Sequence, residues 1–140
     1  MNKRYLVFTI MALLLAGIML FPSSSAQAGT AQYSDTNVGG PEWVRPFADG
    51  TCCSGLGPVR YQATAICVDL AGTYSFSSAQ DGWDGYLFVY AGSFDPANQT
   101  ANFVAGDDDG DGGIGTSDLD ATLDAEVPYI VVTTGFELGE

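Results

Sequence analysis

Residues 118–134 read DLDATLDAEVPYIVVTT. Leu119, Ala121, Leu123 and Ala125 alternate strictly with Asp118, Asp120, Thr122 and Asp124. A period of two puts one apolar face against a core and an acidic face in water, which is the signature of a half-buried strand. A helix would bring Leu119 and Leu123 together but leave the stretch marginally amphipathic, so the strand reading fits better. The run Tyr129 to Thr134 (YIVVTT) follows as a strand of the doubly buried type.

Working outward, the same grammar recurs. YLFVYA, residues 86–91, is continuous, aromatic and β-branched, as a central strand should be. Gly92-Ser93-Phe94-Asp95-Pro96 ends it, because proline cannot donate to a ladder and sets a turn. TYSFSS (73–78) alternates with Tyr74 and Phe76 on one face, and a strand is expected across roughly 59–70, with Tyr61, Ala63, Ala65 and Cys67 sharing one parity. A short apolar element spans 102–105. Residues 29–58 are turn-rich, and within them Trp43-Val44 and Phe47 read as anchors pinning an extended segment to the core. Short strands, Gly, Asp and Pro turns and no convincing helix beyond the N-terminus predict an all-β protein, an antiparallel β-sandwich of jelly-roll-like type or a related barrel. The expected organisation is an extended segment over 29–58 and a β-sandwich domain over 59–140. At least one edge strand is left without a cover, the expected completion coming from the 29–58 segment, from another subunit or from sequence absent in this fragment.

The N-terminus reads as an export signal. Lys3 and Arg4 precede seventeen uncharged residues, Tyr5 to Phe21, and Ala26-Gln27-Ala28 forms a small-x-small cleavage site. Residues 1–28 are therefore expected to be a cleaved signal peptide, and the protein to be secreted or on the cell surface. The competing reading is a retained anchor, at the short end of spanning length. Beyond residue 28 only Arg45 and Arg60 oppose seventeen carboxylates, a formal balance of −15. Such a surface excludes nucleic-acid binding, which depends on Lys and Arg neutralising phosphates. The chain has no His, which excludes imidazole-based triads and His-ligated zinc. Three cysteines allow one intrachain bridge at most. Adjacent residues are poorly placed to pair, so Cys67 is expected to bond to Cys52 or Cys53.

The acidic run carries the chemical argument. Residues 107–118 read DDDGDGGIGTSD. On a twelve-position calcium loop, Asp107, Asp109 and Asp111 fall at positions 1, 3 and 5, Gly112 at the sharp turn, Gly113 at the carbonyl position 7, and Asp118 at position 12. Over these twelve residues the loop resembles those of EF-hands and dockerins, although Asp replaces Glu at position 12 and the flanking helices are missing. A hard dication needs six to eight oxygens, and alternate carboxylates on a glycine-loosened loop can converge on one. At ~6 Å, each pair of unneutralised carboxylates costs from ~0.7 kcal/mol in water to ~3 kcal/mol at an effective dielectric of 20. Ca2+ is the expected ion. Asp108 is a further candidate ligand, as are Asp81 and Asp84 if their turn lies alongside. The alternative is a solvated acidic turn.

Asp81-Gly82-Trp83-Asp84-Gly85 is a second acidic turn. Trp83, with Tyr86 or Tyr90, offers a carbohydrate-binding platform, against the commoner role of Trp83 in packing. No carboxylate pair stands out as a glycosidase dyad. Asn98-Gln99-Thr100 matches a glycosylation sequon.

The motifs GGPEWVRP (39–46), GTYSF (72–76), DGWDGYLFVYAGSFDPAN (81–98), AGDDDGDGG (105–113) and TSDLDATLDAEVPYIVVTTGF (116–136) occur in an order that resembles β-sandwich accessory modules of secreted bacterial proteins. That group includes the bacterial pre-peptidase C-terminal domains. The resemblance implies a non-catalytic domain attached to secreted enzymes or surface proteins, calcium-stabilised in some members through loop aspartates that match Asp107 to Asp111. The family pattern continues past Gly135-Phe136 into a further strand. The expected function is thus an exported, non-catalytic, calcium-binding β-sandwich with a structural or adhesive role, self-associating through an open edge or meeting another surface protein. A carbohydrate-binding module with a polysaccharide partner is the alternative.

Overall fold

The computed structural model describes residues 29–140, and the expected signal peptide lies outside them. Tyr33–Glu140 form one compact unit. Seven strands follow one another: β1 (Glu42–Trp43), β2 (Val59–Cys67), β3 (Gly72–Ala79), β4 (Gly85–Ala91), β5 (Phe103–Asp107), β6 (Thr116–Leu123) and β7 (Pro128–Gly135). They build a five-stranded sheet in the order β1-β2-β7-β4-β5 and a two-stranded sheet, β3-β6. Every pairing is antiparallel. The fold is all-β, with curled antiparallel sheets of jelly-roll-like form.

The continuous apolar runs occupy the centre of the large sheet because both of their faces are covered. In β4, Leu87 and Val89 point to one side, with Tyr129 and Val131 of β7, and meet Leu119, Ala121 and Leu123 of β6. Tyr86, Phe88 and Tyr90 point to the other side with Val132, where Trp43, Val59, Phe94 and Phe103 close over them. The alternating strand behaves as its period demands: Ser117, Leu119, Ala121 and Leu123 are buried, and Asp118 and Asp120 are exposed.

The N-terminal segment covers the aromatic face. Trp43 is buried and its indole N–H donates to Thr134 Oγ1 at 2.8 Å. Val44 and Phe47, expected as anchors, are exposed, and Arg45 and Pro46 are buried in their place. Arg45 is 1% exposed. Its Nε and Nη2 donate to the Phe136 carbonyl at 3.0 and 2.7 Å, its Nη1 donates to the Pro46 carbonyl at 3.2 Å, and its guanidinium lies 3.8 Å from the centre of the Tyr86 ring. A planar cation stacked on an aromatic face, with its donors matched to carbonyls, is tolerated where a bare charge would not be.

Several boundaries differ from the expectations. Strand β2 stops at Cys67 rather than near residue 70, where the Val68 carbonyl accepts the Glu126 N–H and turns the chain. Strand β5 extends to Asp107, and β6 begins at Thr116, so both ends of the acidic run belong to strands. The expected bridge to Cys67 is not formed: Cys52 and Cys53 pair with each other, and Cys67 is free and exposed. The local contacts hold them apart: the Ser54 N–H donates to the Arg45 carbonyl and Cys52 Sγ lies 3.9 Å from Gln99 Oε1, whereas Cys67 ends β2 opposite Pro128 with its thiol 4.0 Å from the Val68 carbonyl.

Candidate metal centre

Two connections meet at one end of the fold, the turn from β3 into β4 and the arch from β5 in the large sheet to β6 in the small one. The Gln80 N–H donates to the Gly115 carbonyl at 2.8 Å and ties the two together. Ser117, fully buried, adds a second tie: its hydroxyl lies 2.8 Å from the Asp108 carbonyl and 3.2 Å from the Gly85 carbonyl. The Asp84 carbonyl accepts the Phe136 N–H, which brings the end of β7 to the same place.

These ties bring Asp84, Asp108 and Asp109 together, with one carboxylate oxygen from each lying within 4.8 Å of the others. Asp84 and Asp108 are half-buried and Asp109 is exposed. Asp84 Oδ1, Asp108 Oδ1 and, in the same turn as Asp84, Gln80 Oε1 are shielded from solvent and have no hydrogen-bond partner among the described residues. Burial holds the Asp84 carboxyl above its ordinary range, and the negative charges of Asp108, Asp109 and Glu140 add to the rise. Burial likewise raises Asp108, and Asp109 and Asp107 push the same way, while the Tyr86 hydroxyl and the Arg45 charge act against them. Tyr86 itself is pushed up to about 12, mainly by burial and then by the neighbouring Asp108. Such a group of oxygens can hold a cation: ionised carboxylates only accept hydrogen bonds, and no donor meets the two inner oxygens.

The twelve-position reading is met only in part. Asp109 joins the cluster, as do the two further candidates Asp108 and Asp84. Asp107 Oδ2 instead accepts the Asp118 N–H at 2.7 Å, and Asp118 Oδ2 accepts the Asp111 N–H at 3.2 Å. The Gly113 carbonyl accepts both the N–H and the hydroxyl of Thr116, at 3.0 and 2.8 Å. Asp111 and Asp81 are exposed and outside the cluster. The physical reason is the reach of the strands. The ladders run on to Asp107 in β5 and from Thr116 in β6, so only residues 108–115 are free to arch, fewer than a twelve-position loop uses, and they close on their own backbone instead. A Cβ at Gly110 would push the Asp118 carboxylate out of this closure.

Of the side chains expected to stack on a sugar, Tyr86 and Tyr90 are buried and Trp83 is half-buried. Arg45, beside Asp108, was not foreseen as part of this neighbourhood; its only sequence signal is its rarity, as one of two cations beyond residue 28. Comparisons with family models, curated proteins and solved structures return no match for the chain. The structure shows an all-β, curled antiparallel fold, and no match extends that to a particular family.

Proposed function

We propose that this protein is an exported, non-catalytic β-sandwich module that binds one calcium ion at Asp84, Asp108 and Asp109. Its role is structural or adhesive at or beyond the cell surface, with association through an open strand edge. The observation that carries the cation reading is the pair of shielded oxygens without a partner among the described residues, Asp84 Oδ1 and Asp108 Oδ1, on two of three carboxylates that come within 4.8 Å of one another. A buried acceptor left unmet is costly, and a hard dication meets several at once. The donor set is all oxygen, without His or thiolate, which favours calcium or magnesium over softer metals. A glycine-rich arch that adjusts to seven or eight ligands suits calcium better than the strict octahedron of magnesium. Backbone carbonyls and water would supply the remaining oxygens.

Calorimetric titration with calcium tests the site. Asp109→Asn is expected to weaken binding at least about tenfold, since it removes a charged ligand, while Asp111→Asn stays within about twofold. No heat with the wild type, or the reverse order of the two variants, would reject the three-aspartate site.

A further inference from the structure

We propose that β3 is the docking edge for a second copy of this chain, paired antiparallel about a two-fold axis through Ser75. This deepens the edge-association part of the proposed function and rests on it, but it is independent of the cation. Strand β3 ends the small sheet, with β6 on one side and, among the described residues, nothing paired on the other. Its eight residues, GTYSFSSA, include no charge and no proline, and its register with β6 runs unbroken from Gly72↔Leu123 to Ala79↔Thr116. Edge strands are ordinarily blunted by lysine, proline or a bulge, and β3 has none of these.

Burial along the edge shows what the missing strand would cover. The inward side chains of β6 are buried, but those of β3, Tyr74 and Phe76, are only half-buried although they pack on the same core. The Tyr74 hydroxyl donates to the Leu70 carbonyl at 2.8 Å, so the polar end of that ring is already satisfied, and Leu70 itself is 55% exposed. The other edges are poorer templates. The far side of β6 is taken up by the arch, where the Gly110 N–H donates to the Thr116 carbonyl and the Asp118 N–H to Asp107 Oδ2. The start of β2 is taken by β1 and by the Pro41 carbonyl, which accepts the Tyr61 N–H, and its next inward positions are Gln62 and Thr64. Strand β5 is short, meets β4 with a register shift, and ends in Asp107.

Charge and parity select a second copy as the occupant. The side-chain period of two requires the axis to pass through a residue, or inward faces would meet outward ones. With the axis at Ser75, Tyr74 lies opposite the partner's Phe76 and Phe76 opposite the partner's Tyr74, giving two aromatic cross-strand pairs. On the outward face, Ser75 meets the partner's Ser75. The nearest carboxylate on that row, Asp120, faces Ser75 from β6. Its counterpart in the dimer is then three strand spacings away, about 14 Å, beyond the ~8 Å screening length at physiological salt. Two molecules this acidic can join along such a seam without opposing carboxylates. Seven paired residues on each side make less than a standard interface of about 1,200 Å², so the dimer is a weak one.

The test is sedimentation of the protein from about 5 to about 500 µM, with calcium and with chelator, a range suited to a sub-standard interface. The expected result is a dimer that grows with concentration and is weakened at least about tenfold by Ser75→Lys. In the monomer that ammonium faces Asp120, but in the dimer it faces its own copy. Against a Cys67→Ser background, Ser75→Cys should cross-link copies on mild oxidation and Ser77→Cys, opposite the partner's Thr73, should not. A monomer at every concentration, a dimer indifferent to Ser75→Lys, or equal cross-linking at both positions would overturn the proposal. Calcium binding by a strictly monomeric protein would reject the edge and keep the ion; a Ser75→Lys-sensitive dimer that takes up no calcium would do the reverse.

Discussion

Replacing Asp108 by Asn isolates the electrostatics of the cluster with little change of shape. The three carboxylate oxygens lie within 4.8 Å of one another. At that separation the half-buried Asp84–Asp108 pair repels by about 3.5 kcal/mol at an effective dielectric of 20, and each pair that includes exposed Asp109 by about 0.9 kcal/mol at the dielectric of water. Asp108→Asn removes one pair of each kind, up to about 4 kcal/mol of strain in the cation-free protein, less whatever protonation already relieves. The amide oxygen can still accept from the Tyr86 hydroxyl. In chelator, the variant should therefore melt above the wild type, by several degrees at roughly 4 °C per kcal/mol for a domain of this size. Calcium should narrow that gap, since a ligand at a hundred times its dissociation constant adds about 2.7 kcal/mol to the wild type, and should reverse the order beyond roughly a thousandfold excess, where the gain is about 4.1 kcal/mol. Differential scanning calorimetry in both buffers reads the crossing directly. Parallel losses in both, with the variant below the wild type even in chelator, would show that Asp108 serves a structural hydrogen bond and that the repulsion argument is wrong.

Two further outcomes follow from the same neighbourhood. Asp84 and Asp108 hold their protons to higher pH when folded than the ordinary 3.8, so the folded state carries the excess protons from that value upward. In chelator, stability should fall as pH rises through that window, and urea midpoints of Asp84→Asn/Asp108→Asn should show a flatter profile; an identical profile would remove the two carboxyls from the account. Arg45→Met keeps an apolar stem against Tyr86 but strands the Phe136 and Pro46 carbonyls, and should lower the free energy of unfolding by about 2–4 kcal/mol in urea; a loss below about 1 kcal/mol would mean that water reaches those carbonyls.

The fold was legible because its strands obey simple periods. Alternation at 118–125 located β6 and its buried face, and the unbroken apolar runs at 86–91 and 129–134 marked the two strands covered on both sides. The site was legible only as a region. Three consecutive aspartates offer no local clue to which of them turns inward, and the calcium-loop spacing selected 107, 109 and 111 by alternation. What decides the matter is how far pairing continues. Because β5 keeps its ladder to Asp107 and β6 starts before Asp118, those two carboxylates cap backbone N–H groups, and Asp108 is the first free to turn toward Tyr86. Asp84 joins from a turn over twenty residues earlier, through contacts at Ser117 and Gly115 that no linear spacing encodes. Arg45 was illegible for a related reason: an arginine is buried only when a ring and several carbonyls converge on it, and its partners Tyr86 and Phe136 lie far along the chain.

The placement of the two arginines bears on why the acidic cluster has no internal counter-charge. Arg60 stands at the surface beside Glu42, at 3.9 Å with both side chains about half exposed, a pair that contributes little. Arg45 is buried close to the acidic cluster, yet its donors go to the carbonyls of Phe136 and Pro46 rather than to a carboxylate. Its charge eases Asp108 through space without filling the ligand positions of the inner oxygens. The repulsion thus persists where the β3–β4 turn, the β5–β6 arch and the end of β7 converge, the junction at which the two sheets are tied. An ion at this point would neutralise the one crowded group of carboxylates found among the described residues and cross-brace both sheets at once, so its removal should loosen the arch and the β3–β6 sheet before the β4–β7 centre. Amide hydrogen exchange with and without chelator would read that order: protection lost first at Gly110, Asp111 and Thr116 and only later at Phe88 and Val132, with uniform loss across all five refuting a brace at this end.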